Sequence, residues 1–387
     1  MTSDRSQAHW QRIRRVAIIT GTRAEYGLLH PVMKAIEAQP ALRLQLVVTG
    51  IHLLRKFGHT VDLVRRDGWT IDACVKMQKG DDDPLDQATG LARGVSGIAR
   101  FLEQARTDIV VVLGDRIEAM AGALACVTTG RVLAHIHGGD LAPGDFDEGL
   151  RHAITKLVHI HFAATQQARR RIVRMGEREA HVHFVGAPGL DGLAELVRRS
   201  SKTRGASERL LIVQHPCGRS AVDEKRVMNA LIRAVKHTRR PHTILYPNSD
   251  RGHSGIIEVI NAHRRCSPSG IVRVEKHLPR DQYLRCLIDA AVLVGNSSSG
   301  IIEAATAGTP CVNVGPRQGG RQRSGRCVID AGESFSSIRD ALAEALRKRP
   351  IMGNATVYGE GRAGTRIARI LASTRITDAL IHKCNTY

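Results

Sequence analysis

Runs of four to six aliphatic and β-branched residues recur along the chain, at 16–20, 44–49, 109–113, 132–136 and 182–185, and again at 210–213, 243–246, 271–274, 291–294 and 311–314. Most carry no alternating polar residue, so they read as strands buried on both faces, the condition of a parallel sheet covered by helices. Between the first two runs, Leu28, Leu29, Val32, Met33 and Ile36 fall at helical spacing, which completes a βαβ unit. Further helices are expected near 223–236, 281–290 and 298–307. The stretch 198–209 is polar, has no apolar period and reads as a linker. The expectation is an α/β chain of two Rossmann-like doubly wound domains, 13–197 and 208–364. A terminal segment 365–387 follows, whose helix at about 365–372 crosses back onto the first domain. Open α/β sheets bind ligands beyond the carboxyl ends of their strands, so function should lie in the strand-end loops facing a shared cleft.

Composition narrows what the cleft can serve. The net charge of +20 would suit a nucleic acid, but aromatic residues are only 3% of the 387, too few for base-stacking platforms. Basic residues are also dispersed, with only short clusters at Arg169–Arg171 and Arg239–Arg240. No nucleic-acid partner is expected. The eight cysteines show no Cys-x-x-Cys pair and no regular spacing, which reads as reduced core residues rather than a zinc ribbon or a disulfide framework. Residues 1–12 lack an apolar signal core, and no apolar run approaches the ~20 residues of a membrane helix. A cytoplasmic protein with no membrane partner is expected.

The most telling loop follows the run at 291–294. In Gly295-Asn-Ser-Ser-Ser-Gly-Ile-Ile-Glu303 an apolar strand breaks into small hydroxyl residues before a helix begins. Backbone N–H groups there, with the Ser297 and Ser298 hydroxyls, make an anion cradle, and Glu303 further in could accept hydrogen bonds from both hydroxyls of a ribose. Diphosphate followed by ribose means a nucleotide. Arg317 and Arg321, beyond the run at 311–314, could reach a diphosphate bidentately. His215 and Asn248 close the two preceding strand ends. In the first domain, Arg23 and Gly27 lie in a glycine-bearing turn at a helix start, and Asp115 and Arg116 follow the third run. The densest loop holds His135, His137, Asp140, Asp145, Asp147, Glu148, Arg151 and His152: four carboxylates and three histidines within eighteen positions. Such a cluster can keep an acid and a base apart in pKa, as proton abstraction from carbon requires. Its rival is a metal site, since His135 and His137 would share one face of a strand and Asp140 could complete a triad.

Taken together, Gly21-Thr-Arg-Ala-Glu-Tyr-Gly27, Gly114-Asp-Arg116, His137-Gly-Gly-Asp140, Asp147-Glu-x-x-Arg-His-Ala-Ile-Thr-Lys156, Gln214-His-Pro216, Pro247-Asn-x-Asp250, Gly295 to Glu303 and Gly315-x-Arg-Gln318 resemble the hydrolysing UDP-N-acetylglucosamine 2-epimerases of sialic acid synthesis. The resemblance runs in order from about Arg15 to Leu371. It implies a GT-B fold and conversion of UDP-N-acetylglucosamine and water to N-acetylmannosamine and UDP. The implied route removes the C2 proton, expels UDP to leave a 2-acetamidoglucal, and hydrates it with inversion at C2. No metal and no other cofactor is implied, and a homodimer or homotetramer is. By position, Asp115, Arg116, His137, Asp147 and Glu148 fall to catalysis. Arg23, Gly27, His215, Asn248, Ser297, Ser298, Glu303 and Arg317 fall to UDP-sugar binding. One position departs: animal members and some bacterial ones carry a catalytic glutamate where this chain has His137. Bacterial members with the histidine form include some that act on UDP-2,4-diacetamido-2,4,6-trideoxyglucose. The alternatives are a hydrolysing 2-epimerase for that diacetamido sugar, a non-hydrolysing 2-epimerase, a GT-B glycosyltransferase and, from another class, a non-catalytic nucleotide-sugar-binding protein.

Overall fold

The computed structural model describes residues 13–81, 83–141, 147–200, 208–248, 250–347, 357–384 and 386. The strands form two sheets. The first contains β1 (Arg14–Thr20), β2 (Leu42–Thr49), β3 (Ala73–Val75), β4 (Ile109–Leu113), β5 (Val132–Ile136), β6 (Ile160–Ala163) and β7 (Val182–Phe184). Their order is β3-β2-β1-β4-β5-β6-β7. The second contains β8 (Leu210–Val213), β9 (His242–Leu245), β10 (Val272–Glu275), β11 (Val292–Gly295), β12 (Cys311–Val314) and β13 (Val328–Ala331), in the order β10-β9-β8-β11-β12-β13. Every pairing is parallel. Strand order therefore reverses between β1 and β4 and between β8 and β11, the two crevices where such sheets bind ligands.

Ten strands lie at or within a residue or two of the expected runs. The other three, β3, β6 and β13, escape the apolar pattern for local reasons. At the sheet edges, β3 has three residues and β13 carries Asp330, whose carboxylate accepts from Asn313 Nδ2 at 2.7 Å. Within β6, the buried His161 meets the Glu177 carboxylate at 3.2 Å, a polar pair that interrupts an otherwise apolar strand.

The expected helix at 298–307 is instead two four-residue helices, Ser299–Ile302 and Ala304–Ala307, broken at Glu303. The cradle thus cannot draw on the dipole of a long helix; what it offers is local N–H and hydroxyl groups. The last long helix, Ala363–Ser373, begins with the Ala363 and Gly364 N–H groups donating to the Asp191 carboxylate at 2.9 and 2.7 Å. Its Ile367, Ala368 and Leu371 join the core that covers β1 with Leu29, Val32 and Met33. Arg14 donates to the carbonyls of Leu371 and Ala372, so the chain ends against the first sheet. The linker expected at 198–209 falls mostly outside the described residues. All eight cysteines are unpaired, but only Cys126, Cys311 and Cys327 are buried, and Cys74, Cys266 and Cys384 are exposed, so the reading of them as core residues fails for these three. Among the described residues no helix is long and apolar enough to cross a membrane.

Glu25, one turn into the helix Arg23–Glu37, is buried, and one of its oxygens accepts from the Gly21 N–H at 2.7 Å. Burial pushes its pKa up to about 8, the Gly21 N–H opposes this, and the nearby Glu118 carboxylate adds to it. The folded protein then holds Glu25 neutral where the unfolded chain has it ionised. Its contribution is complete below the unfolded value of 4.5 and is lost as pH rises towards about 8. Glu25→Gln should flatten the fall of Tm between pH 5 and 8 and exceed the wild type by at least about 4 °C at pH 8 in a thermal melt. Parallel pH profiles would remove this account of Glu25.

Candidate active site

A cavity of about 430 Å³ opens between the two sheets at their carboxyl ends. Arg23 and Gly27 face it from the helix after β1, and His137 from the turn after β5. Opposite stand His215 after β8 and Ser297, Ser298 and Glu303 after β11. Burial lowers the Arg23 pKa to about 10, which leaves it a cation at neutral pH. The remaining expected residues do not line this cavity. Asp115, Arg116, Asp147, Glu148, Asn248 and Arg317 form a charged belt behind His137 and His215.

Arg151 organises the first-domain side of that belt. It is almost fully buried, forms an ion pair with Asp115, lies 3.7 Å from the Glu148 carboxylate, and donates to the His137 carbonyl at 3.4 Å. Its guanidinium, pressed by burial and by the charges of Arg321 and Arg317, is thus matched by two carboxylates. Glu148 also meets His152 Nε2 at 3.2 Å. Asp147 is buried at the start of the helix Asp147–Leu157, where its charge acts on Arg116. Asp145 lies outside the described residues.

Arg116 reaches across the cleft. Its Nη1 donates to Asp250 at 2.6 Å, and its Nε to Glu118 at 3.3 Å. Asp250 also accepts from the Asn248 side chain. Burial would raise the Asp250 pKa, but Arg116 and Arg317 outweigh it and hold the carboxylate ionised.

The His215 ring is set by a backbone group. Its Nδ1 accepts from the Asn248 N–H at 3.1 Å, so Nε2 must carry the ring proton. Burial, then the Arg317 charge, lowers its pKa to about 3, and it stands neutral beside the cavity. The fully buried Asn296 clamps it, accepting from the His215 N–H at 2.7 Å and donating to its carbonyl at 2.8 Å. Gly295, with φ of +133°, makes that approach possible, since a Cβ there would sit 2.1 Å from the Val213 carbonyl oxygen.

His135 and His137 do not share a face. His135 ends within β5 and is spent structurally, its Nε2 lying 2.6 Å from the Gly114 carbonyl and its pKa lowered by burial to about 3. His137 lies past the strand with φ of +67°, held by its N–H on the Phe162 carbonyl, and turns its Nδ1 onto Asp140 at 3.0 Å. The proposed triad is therefore not assembled, and among the described residues no group of three His, Cys, Asp or Glu side chains could hold a metal ion.

Glu303 is 3% exposed and already engaged by Arg280 and by the Ser299 hydroxyl, which in turn accepts from the Tyr283 hydroxyl at 2.5 Å. Arg280 also donates to the Gly189 carbonyl at 2.7 Å, bridging to the first-domain side. Arg280, Tyr283 and Ser299 all line the cavity, and the sequence reading gave none of them a role. For Arg280 and Tyr283, Pro279 at the start of their helix was the available signal.

A family model described as UDP-N-acetylglucosamine 2-epimerase matches residues 34–372. The chain is 35% identical over 385 residues to the UDP-N,N'-diacetylbacillosamine 2-epimerase (hydrolyzing) of Legionella pneumophila, covering 97% of this chain and 100% of the relative. It is 32% identical to the UDP-N-acetylglucosamine 2-epimerase of Neisseria meningitidis, covering 86% and 88%. The fold is the GT-B fold seen in the Methanocaldococcus jannaschii UDP-GlcNAc 2-epimerase in complex with UDP-GlcNAc and UDP. That structure superposes with a TM-score of 0.76 at 18% identity, over 93% of this chain and all of that one.

Proposed function

Since the chain belongs to the UDP-N-acetylglucosamine 2-epimerase family, we propose that it hydrolyses a UDP-2-acetamido sugar with inversion at C2. UDP-N,N'-diacetylbacillosamine is the proposed substrate. Both the full-length likeness to the Legionella relative and the histidine at position 137 favour it. UDP-N-acetylglucosamine, the substrate implied by the motif set, is the second reading, supported by the Neisseria relative.

The observation that carries the chemistry is the His137–Asp140 pair at the cavity wall. With Nδ1–H donated to a carboxylate, Nε2 keeps its lone pair and faces the cavity as a base. In the proposed route His137 takes the C2 proton as the C1–oxygen bond to diphosphate breaks, leaving UDP and a 2-acetamidoglucal. Water then adds its hydroxyl to C1, and a proton returns to C2 from the opposite face, with Asp115 and Asp147 the proposed acids. The leaving diphosphate is stabilised by Arg317, by the neutral Nε2–H of His215, and by the Ser297 and Ser298 hydroxyls. Asn248 fixes His215, Arg116 holds the two halves together beside it, and Glu148 counters Arg151. Arg23 and Gly27 face the sugar-nucleotide from the first domain.

Incubation with each UDP-sugar, following free UDP and product by proton NMR, should show faster UDP release from the diacetamido sugar and a 2-epimeric free sugar. Release from UDP-N-acetylglucosamine alone would select the second reading. Activity should survive exhaustive dialysis against EDTA, because His135 is bound to the Gly114 carbonyl and does not join His137 and Asp140 in a ligand triad. His137→Ala should fall severely and gain nothing from added zinc. Loss on chelation with recovery on stoichiometric metal would contradict the proposed chemistry.

A further inference from the structure

One oxygen of Asp140 serves two partners from different halves of the molecule. Its Oδ2 accepts from His137 Nδ1 at 3.0 Å and from Arg321 Nη1 at 2.6 Å. Arg321 lies beyond β12 in the second sheet, 181 residues along the chain, and its side chain is only 9% exposed. Its Nη1 is thus occupied by protein. We infer that Arg321 is a positioning residue which assembles the His137–Asp140 pair across the domain boundary, rather than a ligand of the diphosphate. The inference rests on the assignment of proton transfer to His137.

The physical case has three parts. First, burial acts to raise the Asp140 pKa, and the Arg321 charge, followed by the His137 hydrogen bond, reverses this, so the carboxylate stays ionised. An ionised carboxylate can only accept, which fixes the proton on Nδ1 of His137. Second, among the described residues only His137 and Arg321 bond the Asp140 carboxylate. Gly139 has φ of +71°, a Cβ there would lie 2.6 Å from the Ala168 carbonyl oxygen, and Arg171 pins its carbonyl from behind. These contacts shape the backbone but leave the carboxylate to Arg321 and His137. Third, among the described residues no other cation pairs with the Asp140 carboxylate. On the first-domain side Arg151 is matched by Asp115 and Glu148, and His135 is neutral and buried. On the second-domain side stand Arg317 and the Tyr358 hydroxyl, which donates to the Gln322 carbonyl at 2.8 Å. With Arg321 removed, the Asp140 charge would fall to His137 alone, and the imidazolium would be favoured.

The test has two arms. In ligand-free protein, the His137 ring is titrated by NMR and assigned by its loss in His137→Gln. Arg321→Ala should raise its midpoint by at least about half a pH unit, Asp140→Asn should lower it, and Arg321→Lys should leave it near the wild type. In the reaction, Arg321→Ala should lose about 50-fold or more in kcat with UDP affinity changed less than threefold, and Arg321→Lys should recover most of the rate. The Arg321→Ala/Asp140→Asn double variant should lose little more than either single one. An unchanged His137 midpoint in Arg321→Ala, or a weakened UDP affinity with kcat intact, would overturn the inference. The first arm needs no substrate, so a wild-type protein that releases no UDP would sink the proposed reaction and leave this arm to be read by itself.

Discussion

Asp115→Asn should lose about 100-fold or more in turnover while folding normally, and Asp147→Asn should do the same. Both carboxylates stand in the charged belt behind His137, not on the cavity wall, so their effect must come through charge and protons, not substrate packing. Asp115 is the ion-pair partner of the buried Arg151, which donates to the His137 carbonyl. An amide in its place keeps the shape and removes the charge, and Glu148 at 3.7 Å remains as the counter-ion that lets Arg151 stay buried. Asp147 is buried where its charge acts on Arg116, and an amide there removes that charge. Steady-state kinetics with circular dichroism as the folding control decide the matter. Near-native turnover in either variant takes that residue out of the proposed mechanism.

The second large effect concerns the nucleotide. Glu303→Ala should weaken UDP binding by ~2–3 kcal/mol through the loss of two ribose hydrogen bonds, and Arg317→Ala should cost a comparable charge-assisted contact. In this structure the Glu303 oxygens are held by Arg280 and Ser299 at the cavity wall. Arg280→Ala should therefore cost less than Glu303→Ala, since its loss frees the carboxylate without removing it. Calorimetry showing the wild-type affinity in both Glu303→Ala and Arg317→Ala would place the nucleotide elsewhere.

The sheets were legible because a parallel strand buried on both faces leaves an apolar run, as β4 and β8 do. Where an edge strand is as short as β3 or carries a carboxylate as β13 does, or where a strand buries a polar pair, as His161 does with Glu177, the pattern can fail. The strand-end loops were legible because glycine, histidine and carboxylates concentrate there. What the chain concealed was pairing at long range. Nothing in the sequence near Asp115 announces Arg151 as its partner, or near Asp140 announces Arg321. Arg280 and Tyr283 reach the cavity only because the halves face each other. The break at Glu303 was hidden for another reason, since the run Gly-Ile-Ile-Glu-Ala-Ala-Thr-Ala has helical propensity throughout.

The central claim is that the C2–hydrogen bond and the C1–oxygen bond are both broken and that UDP leaves for good. The most direct measurement is the reaction of UDP-N,N'-diacetylbacillosamine, and in parallel UDP-N-acetylglucosamine, in D2O, followed by proton NMR. The account predicts stoichiometric free UDP and a free sugar of inverted C2 configuration carrying deuterium at C2. Free UDP with C2 configuration and hydrogen both retained, or a UDP-sugar epimerised without release of UDP, would contradict it.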